Sequence, residues 1–386
     1  GGIYDYLRNK NAQTINEALN KEKESSEATT VKPASEDNTN APKETKQQTY
    51  EERKAEQRRL DRLNKQRKKL EEKIEALESR KKELDELLIK SMPLRLPDKL
   101  PAIKILEDEN IFVIDETRGH AQDIRPLQLV VLNLMPLKIT TETDLIRLLS
   151  NTPLQIDVTF MKLKSHTSKN TPIEHMRQFY VSFDELKDRR FDGLIITGAP
   201  VEAYRFEDVF YWDEIRTIFD WARTHVTSTM YICWAAQAAL YHFHGINKSH
   251  MPKKIFGIFP QEINPEYENS PLFRGFDYTF NMPHSRHTTN SIEDILSCKD
   301  LSLLASSEIT GPSIIMEREG REIYVTGHFE YNPDTLDGEY RRDLGKRDDV
   351  DVPLNYYRDN DPQKEPLVTW RAHANLFYHN WINYYI

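Results

Sequence analysis

The sequence predicts an α/β fold, a mostly parallel sheet with helices on both faces, within residues 92–386. Two observations carry that prediction. All five tryptophans and most of the Tyr and Phe fall after position 91, so the core-building side chains are concentrated there. From residue 127 onward, short apolar runs alternate with amphipathic stretches, and repeated β-α units imply parallel strands.

Taken in order, 127–134 reads as a buried strand and 141–150 as a helix. A strand over 155–163 precedes a helix over 172–183. A strand over 191–197 precedes a helix over 212–225, and 228–232 leads into a helix over 234–243. Ligands of such folds gather in loops at the carboxyl ends of strands. The loops to inspect are therefore 133–140, 197–201 and 233–235.

Residues 1–91 have a different character. Positions 1–48 contain a polar stretch with almost no large apolar side chains and read as a remnant plus a disordered linker. Over 49–91, Leu60, Leu63, Leu70, Ile74, Leu77, Leu84 and Leu88 follow three- and four-residue steps, with Arg67 and Lys81 in the gaps. That is a charged coiled-coil-like helix; a solvated single helix is the alternative. The chain opens Gly-Gly rather than Met, so its true start is expected to lie elsewhere, and Met92 has the place of an original initiator.

Composition excludes several classes. A net charge of −9 argues against a nucleic-acid binder driven by bulk positive charge. No apolar run approaches the ~20 residues of a membrane span, and no signal peptide opens the chain. Two cysteines 65 positions apart form no disulfide framework, which makes a cytoplasmic setting the expectation.

Cys233 falls where the run Val-Thr-Ser-Thr-Met-Tyr-Ile turns into an Ala-rich helix. A thiol at the first turn of a helix meets the positive end of the backbone dipole, and the Trp234 amide lies where an oxyanion would form. Position alone does not decide between this and an inert core thiol. Downstream, His328-Phe-Glu330 offers an imidazole and a carboxylate that a strand's two-residue period would set on one side. Gly198 and Ala199 end the 191–197 strand, and their amides suit an oxyanion hole or a plain turn. His242 and His244 close the helix after Cys233. With no His-Glu-x-x-His and no Cys cluster, no metal site is expected. His284-Ser285-Arg286-His287 reads as a polar loop after a strand end.

Two resemblances follow. Gly1-Gly-Ile-Tyr-Asp-Tyr-Leu7, the linker and Tyr50-Glu-Glu-Arg-Lys-Ala-Glu-Gln-Arg-Arg-Leu60 resemble the C-terminal end of an ABC-F type ATPase. There is no Gly-x-x-x-x-Gly-Lys-Ser/Thr loop to cradle ATP phosphates, so this part is expected to be non-catalytic. The order Cys, then His-x-Glu, on β/α units resembles the class I glutamine amidotransferase-like (flavodoxin-like) fold.

More specifically, residues 92–386 resemble the homoserine O-acyltransferases. The matching stretches include Leu132-Asn-Leu-Met-Pro-Leu-Lys138, Phe191-Asp-Gly-Leu-Ile-Ile-Thr-Gly-Ala-Pro200, Ile232-Cys-Trp-Ala-Ala-Gln-Ala238, Pro283-His-Ser-Arg286 and Gly327-His-Phe-Glu-Tyr331.

The resemblance implies Cys233 as nucleophile, His328 as general base and Glu330 as its orienting partner. It places Lys138, Lys254, Ser285 and Arg342 at substrate-binding positions, and it expects a C-terminal tail beyond Ile386. Glu202 stands where succinyl-CoA users tend to have glycine, which implies acetyl-CoA as donor; the family resemblance itself implies L-homoserine as acceptor, in methionine biosynthesis. No bound cofactor is expected, and a homodimer is one arrangement the resemblance leaves open. Succinyl-CoA as donor, serine as acceptor, a glutamine amidohydrolase and a coiled-coil interaction protein with a passenger domain stay as alternatives.

Overall fold

The computed structural model describes residues 100–109, 125–166, 170–346 and 350–386, with Lys73 alone before them. The expected linker (1–48) and coiled-coil helix (49–91) otherwise lie outside the described residues.

Among the described residues, ten strands form one sheet: β1 (Leu127–Leu132), β2 (Ile156–Lys162), β3 (Tyr180–Ser182), β4 (Phe191–Ile196), β5 (Val226–Ile232), β6 (Lys248–Ile263), β7 (Thr279–Asn290), β8 (Leu301–Ser307), β9 (Gly311–Glu317) and β10 (Glu322–Val325). Their spatial order is β3-β2-β1-β4-β5-β10-β9-β8-β6-β7. Every pairing from β3 to β10 is parallel. From β10 to β7 every pairing is antiparallel.

The helices are α1 (Pro101–Asp108), α2 (Lys138–Leu149), α3 (Ile173–Phe179), α4 (Phe183–Leu186), α5 (Trp212–His225), α6 (Trp234–His244), α7 (Ile292–Ser297), α8 (Thr335–Leu344) and α9 (Arg371–Tyr384). Alternate residues of β1 enter different cores. Leu129 and Val131 join α2 and α9 in one, while Val130 and Leu132 join α5 and α6 in the other. A sheet covered on both faces needs such doubly apolar strands.

The expected β/α succession is present, and three local differences have clear causes. The single helix over 172–183 is divided, because Tyr180 turns extended to pair with Phe160 at the sheet edge. Residues 283–287 form no loop: they lie inside β7, where Pro283 faces Ile258 and Arg286 faces Ile255 across β6. The strand expected to reach His328 stops at Val325.

Candidate active site

The site forms where the parallel strands β5 and β10 end beside β7. The peptide N–H of Cys233 donates to the Val325 carbonyl at 2.7 Å, fixing the turn to the end of β10. Cys233 caps α6 with φ 52° and ψ −114°. A positive φ in a non-glycine residue is strained and marks a backbone held by its surroundings. Small residues permit this: Ala235, Ala236, Ala238 and Ala239 are fully buried behind the turn. As the first residue of α6, Trp234 presents a peptide N–H among those that find no partner within a helix.

His328 and Glu330 lie beyond β10 in the loop rather than on a strand, so strand alternation is not what unites them. The peptide N–H of His328 donates to the Pro283 carbonyl at 2.9 Å, anchoring the loop to β7. The imidazole Nδ1 meets Glu330 Oε1 at 2.7 Å, and both side chains are buried. Tyr331 stacks on the ring at 4.1 Å between centroids. Burial disfavours a charge on His328, yet the negative charges of Cys233 and Glu330 outweigh it and hold the imidazole well above its usual pKa. A β-carbon at Gly198 would come within 3.2 Å of Cys233 Cβ and 3.5 Å of His328 Cε1.

These groups open on a cleft of about 240 Å³ whose wall includes Gly198, Ala199, Glu202, Lys254, Ser285 and Arg342. Glu202 accepts the His287 peptide N–H at 2.9 Å, which fixes its carboxylate in the cleft wall. The Lys248 ammonium donates to the Glu202 and Tyr204 carbonyls, each at 2.8 Å, tying down the loop that carries Glu202. Burial pushes the Lys248 ammonium down to about 8, against the charges of Glu202 and Cys233.

Lys138 is not brought to this wall. It is buried, with its ammonium 2.6 Å from the Asn133 carbonyl, and burial pushes it down to about 8 against the charge of Glu142. Its place is behind the 133–137 loop, whose Met135 and Pro136 do reach the cleft.

Sequence reasoning missed Glu339 on α8. Its carboxylate accepts Ser285 Oγ at 2.5 Å and the Tyr331 hydroxyl at 3.3 Å, and lies 3.6 Å from Lys254 Nζ. Its three-residue spacing from Arg342, one helical turn, was the available signal. A thiol, an imidazole and a carboxylate in series form the arrangement that nucleophilic acyl transfer requires. Opposite charges on α8 suit a ligand carrying both signs.

The family model for homoserine O-succinyltransferase matches residues 93–386. The chain belongs to that family. A homoserine O-acetyltransferase from Phocaeicola vulgatus is 63% identical over 295 residues, which cover 76% of this chain and 96% of that protein. One from Bacteroides thetaiotaomicron is 62% identical with the same coverage. The matched span takes in the whole cleft of this homoserine O-acyltransferase family member. Among solved structures, a glutamine amidotransferase from Thermotoga maritima aligns with a TM-score of 0.46 and 12% identity, covering 67% of this chain and 97% of that one. Among the described residues, no helix is long and apolar enough to cross a membrane.

Proposed function

We propose that this chain transfers an acetyl group from acetyl-CoA to the hydroxyl of L-homoserine through an acyl-enzyme on Cys233. The observation that carries the mechanism is the series of Cys233, His328 and Glu330, with its 2.7 Å imidazole–carboxylate contact, at the head of α6. The family and its acetyltransferase relatives supply the substrates.

In the first half-reaction the Cys233 thiolate attacks the thioester carbonyl. The oxyanion is stabilised by the Trp234 amide and amides of the 198–199 loop, and CoA leaves with a proton from His328. In the second, His328 takes the homoserine hydroxyl proton, the oxygen attacks the acyl-cysteine and the thiolate is released. Glu330 holds the ring in one orientation throughout. Arg342 suits the carboxylate of homoserine and Glu339 its ammonium, while Lys254 and Ser285 hold Glu339 in place.

Glu202 supports acetyl over succinyl. Its carboxylate forms part of the cleft wall, where a succinyl group would bring a second negative charge and greater length. A glutamine amidohydrolase would use the same Cys-His-Glu series; the family and its acetyltransferase relatives favour acyl transfer. The decisive experiment is mass spectrometry of the protein after mixing with acetyl-CoA or succinyl-CoA without acceptor. An acetyl adduct on Cys233 is expected, discharged by homoserine; a preferred succinyl adduct, or none, would overturn the reading.

The soluble setting is taken to be cytoplasmic, with residues 92–386 as the catalytic unit and a homodimer as one arrangement. Residues 1–91 would then be dispensable for acyl transfer.

A further inference from the structure

The second cysteine lies in a cluster of its own. Cys298 Sγ is 3.5 Å from His244 Nδ1, and a carboxylate oxygen of Asp300 lies within 4.8 Å of both atoms. The other nitrogen of His244, Nε2, is 2.9 Å from Glu317 Oε2. Glu317 also accepts Arg223 at 2.7 and 2.8 Å and the Tyr324 hydroxyl at 2.7 Å, as an ionised carboxylate does.

An ionised carboxylate only accepts, so Nε2 is the protonated nitrogen. In the neutral ring, the Nδ1 lone pair is then aimed toward Cys298. A carboxylate behind a ligating histidine is the usual means of fixing its tautomer.

We propose that His244, Cys298 and Asp300 form a site for a divalent cation of the zinc class, oriented by Glu317. The spacing fits: bonds of about 2.3 Å to sulfur and about 2.1 Å to nitrogen set tetrahedral zinc's S and N ligands roughly 3.6 Å apart. The field fits as well. His244 is the last residue of α6 and Cys298 the residue after α7, where carbonyl ends favour a cation. Binding forms metal–nitrogen, metal–sulfur and metal–oxygen bonds, and the thiol proton leaves to solvent with no change of oxidation state. The fourth position is open to water. The cation would staple the tail of α6 to the junction of α7 and β8. This site is independent of the proposed acyl transfer.

The test uses the full chain carrying Cys233→Ser, in which Cys298 is the sole thiol because the sequence has two cysteines. Titration with Co²⁺ should give a sulfur-to-cobalt charge-transfer band saturating at one equivalent, together with tetrahedral ligand-field bands. His244→Phe should abolish the band and Asp300→Asn should weaken binding about tenfold, with unchanged circular dichroism in both. In the same background, Zn²⁺ should raise the melting temperature, and adding Cys298→Ser should remove that rise. Absence of a sulfur-to-cobalt band, its persistence in His244→Phe, or an equal zinc-induced rise without Cys298 would overturn the site.

Discussion

One helix carries two Cys–His–Glu clusters, one at each end, and they meet opposite ends of its backbone dipole. At the head of α6, Cys233 faces His328 and Glu330; at its tail, His244 faces Cys298 and Glu317. Residue type alone does not separate them. The backbone dipole does: Cys233 stands at its positive end and His244 at its negative end. Ring orientation differs too. The head cluster turns Nδ1 to its carboxylate, while the tail cluster turns Nδ1 to sulfur and Nε2 to its carboxylate.

The sharpest way to break the contrast is to remove each thiol in turn. Cys233→Ala should lower CoA release from acetyl-CoA and homoserine on the order of 10⁴-fold or more. Cys298→Ser should leave the rate within about twofold. Comparable losses would mean that the helix end is not what distinguishes the two.

Next come the carboxylates. Glu330→Gln should cost roughly 10²- to 10⁴-fold in turnover, whereas Glu317→Gln should cost little catalysis. Glu330 also holds the His328 pKa up. The ring's charge then contributes stability fully below about 6.5, its ordinary value, and loses it as pH rises through the raised value. In Glu330→Gln that loss should begin at lower pH, which melting temperature across a pH series reads directly.

A smaller effect concerns what faces each thiol. Cys233 looks into a cleft walled by Glu202, and Glu202→Gly should shift the ratio of acetyl- to succinyl-CoA use by roughly 10- to 100-fold toward succinyl. Competing the two donors in one reaction measures it. The smallest effect is expected from deleting residues 1–91, which should change kcat/KM by less than about twofold.

The parallel half of the sheet was legible because its strands are buried on both faces and read as apolar runs, as Leu129 to Leu132 show. The antiparallel half was not. Along β7 the buried face runs from Phe280 and Met282 into His284, Arg286, Thr288 and Asn290, so its second half is polar where a buried strand is expected to be apolar. Arg286 is accommodated by the Thr288 and Thr310 carbonyls rather than by a carboxylate.

Cys233 could be placed from the strand-to-helix change, and His328 with Glu330 from their adjacency. The route that unites them, a loop pinned to Pro283, lies in tertiary hydrogen bonding that no local pattern encodes. Glu339 stayed hidden because its partners Ser285 and Lys254 are far away in sequence. The tail cluster was illegible for the same reason, with His244, Cys298 and Glu317 drawn from three separate elements. Lys138 shows the converse: a residue placed in the cleft by resemblance supports its loop from behind.

The positive φ of Cys233 bears on what mutation can explore at this position. Serine has the same unbranched Cβ and could adopt that backbone, so a hydroxyl version of the enzyme lies within reach of one substitution. Threonine, the other hydroxyl nucleophile, is branched at Cβ and strongly disfavoured at φ near 50°. Drift at this turn is therefore channelled by the backbone before chemistry has any say.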